Sequence, residues 1–256
     1  MTKKHKKPEF DFEGVFDPED YMYFYADMLG DRLTNQQVEQ LVQLLNLKKS
    51  AKILDLACGF GRHANRLAEA GHKVTGVDIT PGFLEIARKS AEKSGVKVKY
   101  VQADMRKIIF RNEFDVVLSL FTSFGYFDDK ENMKVLKNVT KALKPGGILC
   151  IDVLHRDGMV KHFVPCFVME KGDDFMIDRP MFDLESGRIY NNRVVMKEGK
   201  KKNTPFSIRT YTVTELKELL HKAGLSVIGF YEDFDKKPLT TESRRLIMLA
   251  RKGTGE

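Results

Sequence analysis

The sequence predicts a doubly wound α/β fold with an antiparallel β-sheet inserted before its last helix. Two patterns carry that prediction. From Lys52 to Val153 short apolar runs alternate with amphipathic helical segments, the pattern of a parallel sheet covered on both faces. From about residue 158 to 212 helical periodicity disappears, and β-rich pieces follow one another between turn signals. At 256 residues, 42% hydrophobic and 31% charged, the chain has enough apolar content to bury one sizeable core.

The elements follow in order. After a lysine-rich tail comes the aromatic stretch "FDPEDYMYFYADMLGD". A helix is predicted from Thr34 to Asn46, with Val38, Leu41, Val42 and Leu45 on one face and Thr34 as its cap. Strands are predicted at Lys52–Leu56, Lys73–Asp78, Val98–Gln102, Phe114–Leu120 and Gly147–Val153. Helices are predicted near His63–Ala70, Pro81–Ser94 and Asp129–Leu143. The pieces "HFVPCFVME", "DFMIDRPMFD", "RIYNNRVVMK" and "FSIRTYT" read as hairpin strands. A helix over Thr214–Ala223, stopped by Gly224, precedes two final strands, Leu225–Asp233 and Arg244–Arg251. The chain therefore divides into a tail and helical lid (1–50), a core (51–157 and 213–256) and an inserted β-rich substrate-side subdomain (158–212).

The formal charge of +7 raises a nucleic-acid reading, but its location argues against one. Lys3, Lys4, Lys6 and Lys7 supply more than half of the excess, and a second cluster, "KEGKKKN", reads as a hairpin tip. Neither interleaves basic with aromatic residues, so both are expected to be solvated charge. Cys58, Cys150 and Cys166 have no metal-ligand spacing and cannot all pair, which suits a reducing cytoplasm. No apolar run approaches the roughly 20 residues that span a bilayer, and none reads as a signal peptide.

The chemistry concentrates in "ILDLACGFGRHANRLAEAGHKVTGVDIT". Gly59 and Gly61 let the backbone turn tightly after a strand, and the next helix points its free N–H groups at whatever lies there. Asp78 follows Gly59 by 19 residues, at the end of the second strand, where a carboxylate can accept from ribose hydroxyls. With Ala64 the pattern also satisfies the dinucleotide fingerprint, so an NAD-dependent oxidoreductase is an alternative. Asp55, directly before the glycine turn, tilts the choice. A carboxylate there repels a pyrophosphate but suits the ammonium and sulfonium of S-adenosylmethionine. Asp104 in "QADM" can accept from an adenine amino group while Met105 packs on the ring.

The motifs "LDLACGFGRHA", "VTGVDIT", "QADMR", "FDVVLSLFTSFGYF" and "LKPGG" together resemble class I S-adenosylmethionine-dependent methyltransferases of small-molecule type. The run "DMRKIIFRNEFDVVLSLFTSFGYF" is similar to part of the amino-sugar N,N-dimethyltransferases. The resemblance implies a Rossmann-like seven-stranded sheet of order 3-2-1-4-5-7-6 with strand 7 antiparallel. It also implies residue roles. Asp55, Ala57, Cys58, Gly59 and Gly61 would meet the methionine moiety, with Arg62 and His63 beside them. Asp78 and Ile79 would hold the ribose, and Asp104 and Met105 the adenine. Leu120 and Phe121 would lie near the reacting methyl.

Methyl transfer needs alignment and exclusion of water more than acid–base groups, so no catalytic residue is assigned. Candidates for the substrate pocket are Tyr21, Tyr25, Tyr126, Arg209 and Tyr211, and Arg32 is placed to reach the methionine carboxylate. The Asn/Asp-Pro-Pro-aromatic turn of nucleobase amine methyltransferases is replaced by "LFTSFGYF". Pro165-Cys166 is similar to a pyrimidine methyltransferase nucleophile but lies in the insertion, not after the fourth strand. The expected activity is methylation of N or O on a small molecule. Methylation of tRNA, rRNA or protein is the alternative, and a binding protein without turnover is a further one.

Overall fold

The computed structural model describes residues 11–254, so Lys3, Lys4, Lys6 and Lys7 lie outside the described residues. Helices α1 (Phe12–Val15), α2 (Pro18–Tyr25) and α3 (Asp31–Leu44) precede the first strand, with a 3-10 turn at Ala26–Leu29 between the last two. The core then runs β1 (Lys52–Leu56), α4 (Arg62–Glu69), β2 (Lys73–Asp78), α5 (Pro81–Lys93), β3 (Val98–Gln102), β4 (Phe114–Ser119), α6 (Asp129–Ala142) and β5 (Leu143–Leu154). Helix α7 (Arg156–Lys161) leads into β6 (Phe167–Lys171), β7 (Asp174–Asp183), β8 (Arg188–Lys197), β9 (Lys200–Asn203) and β10 (Phe206–Arg209). Helix α8 (Val213–Lys222), β11 (Leu225–Tyr231) and β12 (Arg245–Lys252) return to the core.

The main sheet has seven strands in the order β11-β12-β5-β4-β1-β2-β3. Strands β1 to β5 pair in parallel, and β12 runs antiparallel to both β5 and β11. This is the order the family resemblance implied, with the last strand inserted antiparallel. Near-continuous apolar strands form because each face has its own helical cover. Leu54, Leu56 and Val117 pack with Val135 and Val139 of α6 and Leu216 and Leu220 of α8. Their strand neighbours Ile53 and Leu118 face the other way, onto Val38 and Leu41 of α3 and Leu67 of α4. The parallel strands therefore end along one edge, between the two helical layers, and that edge carries the site.

The second sheet is antiparallel, in the order β10-β8-β7-β6 with β9 paired to β8. Two of its hairpin lysines depart from the expected solvated state, whereas Lys200 and Lys201 are exposed. Lys197 Nζ sits 2.5 Å from Glu19 Oε1, and Lys202 Nζ lies 3.1 Å from Asp17 and 3.3 Å from Asp20. The acidic first turn of α2 draws them in, which places the hairpin against the lid.

Several elements differ from the sequence reading, and four of them bear on the fold. Helix α3 starts at Asp31, because Gly30 takes the extended capping conformation. Thr34 lies inside the helix and donates its hydroxyl to the Gly30 carbonyl at 3.2 Å instead of capping. Helix α8 starts one residue early, behind a capping box in which Thr212 and Glu215 bond each other's backbone N–H. Strand β5 begins at Leu143, and the Pro-Gly-Gly turn lies within it, with the register against β4 shifting between Phe114 and Val116. Helix α7 falls partly in the segment expected to be purely β. Gly158 permits it, since a Cβ there would collide with the Ser243 carbonyl. Among the described residues, no helix is long and apolar enough to cross a membrane.

Candidate active site

At the end of β1 the chain reverses through Ala57 (φ +58°), Gly59 (φ +54°) and Gly61 (φ +76°), three left-handed residues in five. The two glycines serve different ends. A Cβ on Gly59 would meet nothing within 4 Å, so its backbone faces open space. A Cβ on Gly61 would strike the Tyr100 hydroxyl and lie 2.8 Å from Ala87 Cβ. Gly61 is therefore a packing glycine and, unlike Ala57, Cys58 and Gly59, does not line the cleft. Tyr100 is held there by Asn65, whose Oδ1 accepts its hydroxyl at 2.6 Å. Cys58 is enclosed beside this contact, and burial pushes its thiol well above the ordinary range, so it is an inert packed residue.

The loop opens into a cleft of ≈ 1020 Å³, counting the space at its mouth. One end is polar. Asp78 Oδ2 accepts from Gly59 N at 2.7 Å and Oδ1 from Thr80 N at 2.9 Å, so this acid braces the glycine loop while lining the cavity. Burial raises its pKa despite those two bonds. Asp55 lies deeper, at 3% exposure, and burial pushes it up to about 7 against the opposing charge of Arg62. Asp104 is also buried enough to be pushed up, but bonds from Arg106 at 2.6–3.0 Å outweigh this and hold it below the usual carboxylate range.

The other end is aromatic. Phe12, Phe16 and Tyr21 come down from α1 and α2, and Phe121, Tyr126 and Phe127 rise from the loop after β4. Phe16 meets Tyr126 edge-on at 5.4 Å, and Phe12 meets Phe127 at 5.5 Å, so lid and core interlock ring by ring. Phe121 and Thr122 both carry positive φ, +54° and +60°. Two successive non-glycine residues in that region are strained, and Asp152 holds them. Its carboxylate accepts Phe121 N at 2.8 Å, its carbonyl accepts Thr122 N at 3.2 Å, and Arg245 pairs with it at 2.7 Å.

The cleft contains two buried polar atoms with no hydrogen-bond partner among the described residues, Asp55 Oδ2 and Arg62 Nη2. They carry opposite charges and their side chains line the same cavity. A ligand bearing both an ammonium and a carboxylate would satisfy the pair, which is the donor and acceptor set of an amino-acid moiety.

Residues 53–147 match the methyltransferase domain family. That stretch, just over a third of the chain, is a methyltransferase domain, and S-adenosylmethionine-dependent methyl transfer is the activity it carries. It is 29% identical over 237 residues to YqeM of Bacillus subtilis, covering 89% of this chain and 96% of that one. Its fold is similar to that of the CcbJ methyltransferase of Streptomyces caelestis, with a TM-score of 0.77 and 21% identity over 91% of this chain and 98% of that one. It is also similar to CalS10 of Micromonospora echinaspora, an amino pentose methyltransferase, with a TM-score of 0.63 and 18% identity over 97% and 100% of the two chains. The domain match decides between the two readings of the glycine pattern, against NAD and for S-adenosylmethionine.

In this methyltransferase the cavity gathers most of the residues singled out in the sequence. Asp55, Ala57, Cys58, Gly59, Arg62 and His63 line it, as do Asp78, Ile79, Asp104 and Met105, and Leu120, Phe121, Tyr21 and Tyr126. It does not gather Arg32, Tyr25, Arg209 and Tyr211. Arg32 is exposed on the first turn of α3, where the earlier start of that helix puts it. Tyr25 stacks behind Tyr21 at 4.6 Å and accepts from Arg193 at 3.1 Å. Arg209 is taken by Glu215 at 2.8 Å, and Tyr211 is buried against Phe124 and Asn132. No residue of the second sheet lines the cavity, contrary to the expectation that it would border the pocket directly. It acts one layer back, through Arg193 under Tyr25 and Phe206 beside Tyr126. Sequence reasoning passed over Gln37, Thr80 and Asp152. A strand-interior acid such as Asp152 was a readable signal, whereas a glutamine on a helix was not.

Proposed function

We propose that this methyltransferase transfers a methyl group to a nitrogen or oxygen of a small-molecule acceptor, inside a roofed aromatic chamber. The observation that carries this reading is the seat of the lid. Gly82, at the start of α5, has no Cβ, and one built there would lie 2.8 Å from Pro18 Cγ of α2. The lid helix thus rests directly on the core beside the ribose position, with Tyr21 edge-on to Phe83 of α5, while Phe12 and Phe16 of α1 meet the rings of the loop after β4 across the cavity. A polymer acceptor needs an open groove at this place. Strongly buried small ligands need a concave, largely apolar one.

The residues fit the cofactor in a definite arrangement. Asp78 and Ile79 would take the ribose, each Asp78 oxygen keeping a lone pair beyond its backbone bond. Asp104 with Met105 would take the adenine. Asp55 would receive the α-ammonium and Arg62, in place of Arg32, the α-carboxylate. Bound there, S-adenosylmethionine supplies a methyl group on a sulfonium that is ready to leave. Leu120 and the braced Phe121 would set the floor at the transfer point, and the lid would exclude water. Burial, with Tyr25 acting in the same direction, pushes Tyr21 up to about 12. That phenol stays protonated and serves as a hydrogen-bond donor to the acceptor, not as a base.

The test is methyl transfer from labelled S-adenosylmethionine into a cell extract separated into small-molecule, RNA and protein fractions. Label is expected in the small-molecule fraction. Label confined to RNA or protein overturns the reading.

A further inference from the structure

Arg62 is held from a helix that contributes nothing to the cavity wall. On α3, one turn apart, Thr34 Oγ1 and Gln37 Oε1 both accept from Arg62 Nη1, at 3.3 and 2.7 Å. A guanidinium has no acceptor, so it fixes which end of the Gln37 amide faces it. The same oxygen lies 3.1 Å from His63 Nε2. That nitrogen must therefore carry the hydrogen, and Gln37 sets the tautomer of His63 as well. Burial holds His63 well below its ordinary pKa, so the ring is neutral. On the other side the guanidinium lies 5.2 Å over the Phe121 ring. Nη1 and the ring face are thus committed, and Nη2 is the buried donor left without a partner.

We propose that Gln37 is a positioning residue for the amino-acid end of the cofactor, orienting Arg62 so that Nη2 is reserved for the α-carboxylate. It does not touch the ligand. Its work is to make a flexible, strongly charged side chain bind in one direction, so that little conformational freedom is lost when the ligand arrives. Because Gln37 and Thr34 lie on α3, continuous with the lid, the same contact ties the cofactor's carboxylate to the element that leads into α2. The inference rests on the assignment of the carboxylate to Arg62 and is independent of what the acceptor is.

The experiment compares two ligands by calorimetry on the full chain: S-adenosylhomocysteine, and 5′-methylthioadenosine, which keeps the adenosine and sulfur but lacks the amino-acid end. Gln37→Leu is expected to weaken S-adenosylhomocysteine by about tenfold or more, in the range for a lost bond to a charged group, and to leave 5′-methylthioadenosine within about twofold. Gln37→Glu, which keeps an acceptor for Arg62 and His63, is expected to recover part of the loss. Equal weakening of both ligands, or of neither, overturns the role of Gln37. Arg62→Ala separates the two layers of the inference. If it leaves the ratio of the two affinities unchanged, the carboxylate is not on Arg62. If it collapses the ratio while Gln37→Leu does not, the Arg62 assignment stands and Gln37 is structural only. Should Gln37→Leu not fold, Thr34→Val together with Gln37→Glu gives the same comparison with smaller expected changes, and an unchanged ratio in both overturns the proposal.

Discussion

The two ends of the cleft are built by different means. The polar end comes from short, contiguous stretches: the last residues of β1, β2 and β3 and the turns that follow them. Its acids sit where a parallel sheet must end, and its loop is shaped by three left-handed residues. The aromatic end is assembled from α1, α2 and the loop after β4, and is backed by a sheet that arrives more than 150 residues later than the lid. One end is a consequence of local backbone geometry, the other of long-range packing. The first should therefore respond to mutation in ligand binding, and the second in stability and acceptor handling.

Arg193→Met gives the largest separation of the two. Arg193 is buried, bonds Asp178 through both Nε and Nη2 at 2.7 Å, and supports Tyr25. Removing it strands Asp178, at a cost of about 3 kcal/mol, the lower end for breaking a buried pair because Asp178 is partly exposed. Thermal unfolding should show this loss while affinity for S-adenosylhomocysteine stays unchanged. A matching loss of cofactor affinity would mean that the two ends are coupled.

Asp78→Ala tests the other side. It removes the proposed ribose acceptor and the brace on Gly59 and Thr80 together, so cofactor affinity should fall by roughly 2–3 kcal/mol, as for lost bonds to a charged group. Calorimetry decides it, and normal binding by this variant would sink the ribose assignment.

Asp55 predicts opposite pH trends for stability and binding. Its folded pKa, about 7, lies above the ordinary carboxylate value of 3.8. The folded, ligand-free protein therefore holds the proton more tightly than the unfolded chain does. The associated stability is fully present below about pH 4 and is lost as pH rises through 7. Binding an ammonium requires the charged form, so affinity for S-adenosylhomocysteine should rise between pH 6 and 8 and then level. Asp55→Asn should flatten both curves. A wild-type affinity that is level between pH 6 and 8 contradicts the placement of the ammonium on Asp55.

The smallest effect is expected for Tyr21→Phe. Cofactor affinity should stay within about 0.5 kcal/mol, the ordinary scatter for a substitution away from the ligand. The acceptor's KM should rise several-fold as one neutral hydrogen bond is lost. A change in cofactor affinity larger than in KM would move Tyr21 to the polar end.

The same division explains what could be read from the sequence. The placement of Asp55, Asp78, Asp104 and Gly59 along one cleft was legible because all lie at or just past strand ends, and strand ends follow from apolar runs and turn residues. The sheet order was legible through the family's motifs. Arg32 and Arg62 show where this fails. Both follow a glycine at a helix start, but only Arg62 lines the cavity, because α3 starts at Asp31, three residues before Thr34, and leaves Arg32 exposed on its first turn. Tyr25, Arg209 and Tyr211 carry chemistry as free residues but are spent on Arg193, Glu215 and Asn132, which pairing across 6 to 168 residues decides. Lys197 and Lys202 read as solvated because their partners, Asp17, Glu19 and Asp20, lie at the opposite end of the chain.

Those partners have a consequence for the order in which the molecule comes together. The lid is synthesised first, yet its anchors at Arg193, Lys197 and Lys202 follow 168 to 185 residues later. Contacts at such separation close only after the intervening chain has lost its freedom. Helices α1 and α2 therefore wait on a nearly finished core, whereas α3 already belongs to the cover of the main sheet. What docks last can also release alone: α1 and α2 are set up to open as a unit of low stability while the sheet stays folded. Amide exchange in Phe12–Tyr25 should then run ahead of exchange in β1, β4 and β5, with bound S-adenosylhomocysteine narrowing the gap. Entry to the chamber becomes a matter of partial unfolding at one end of the chain, and turnover can be limited by how often that end lets go.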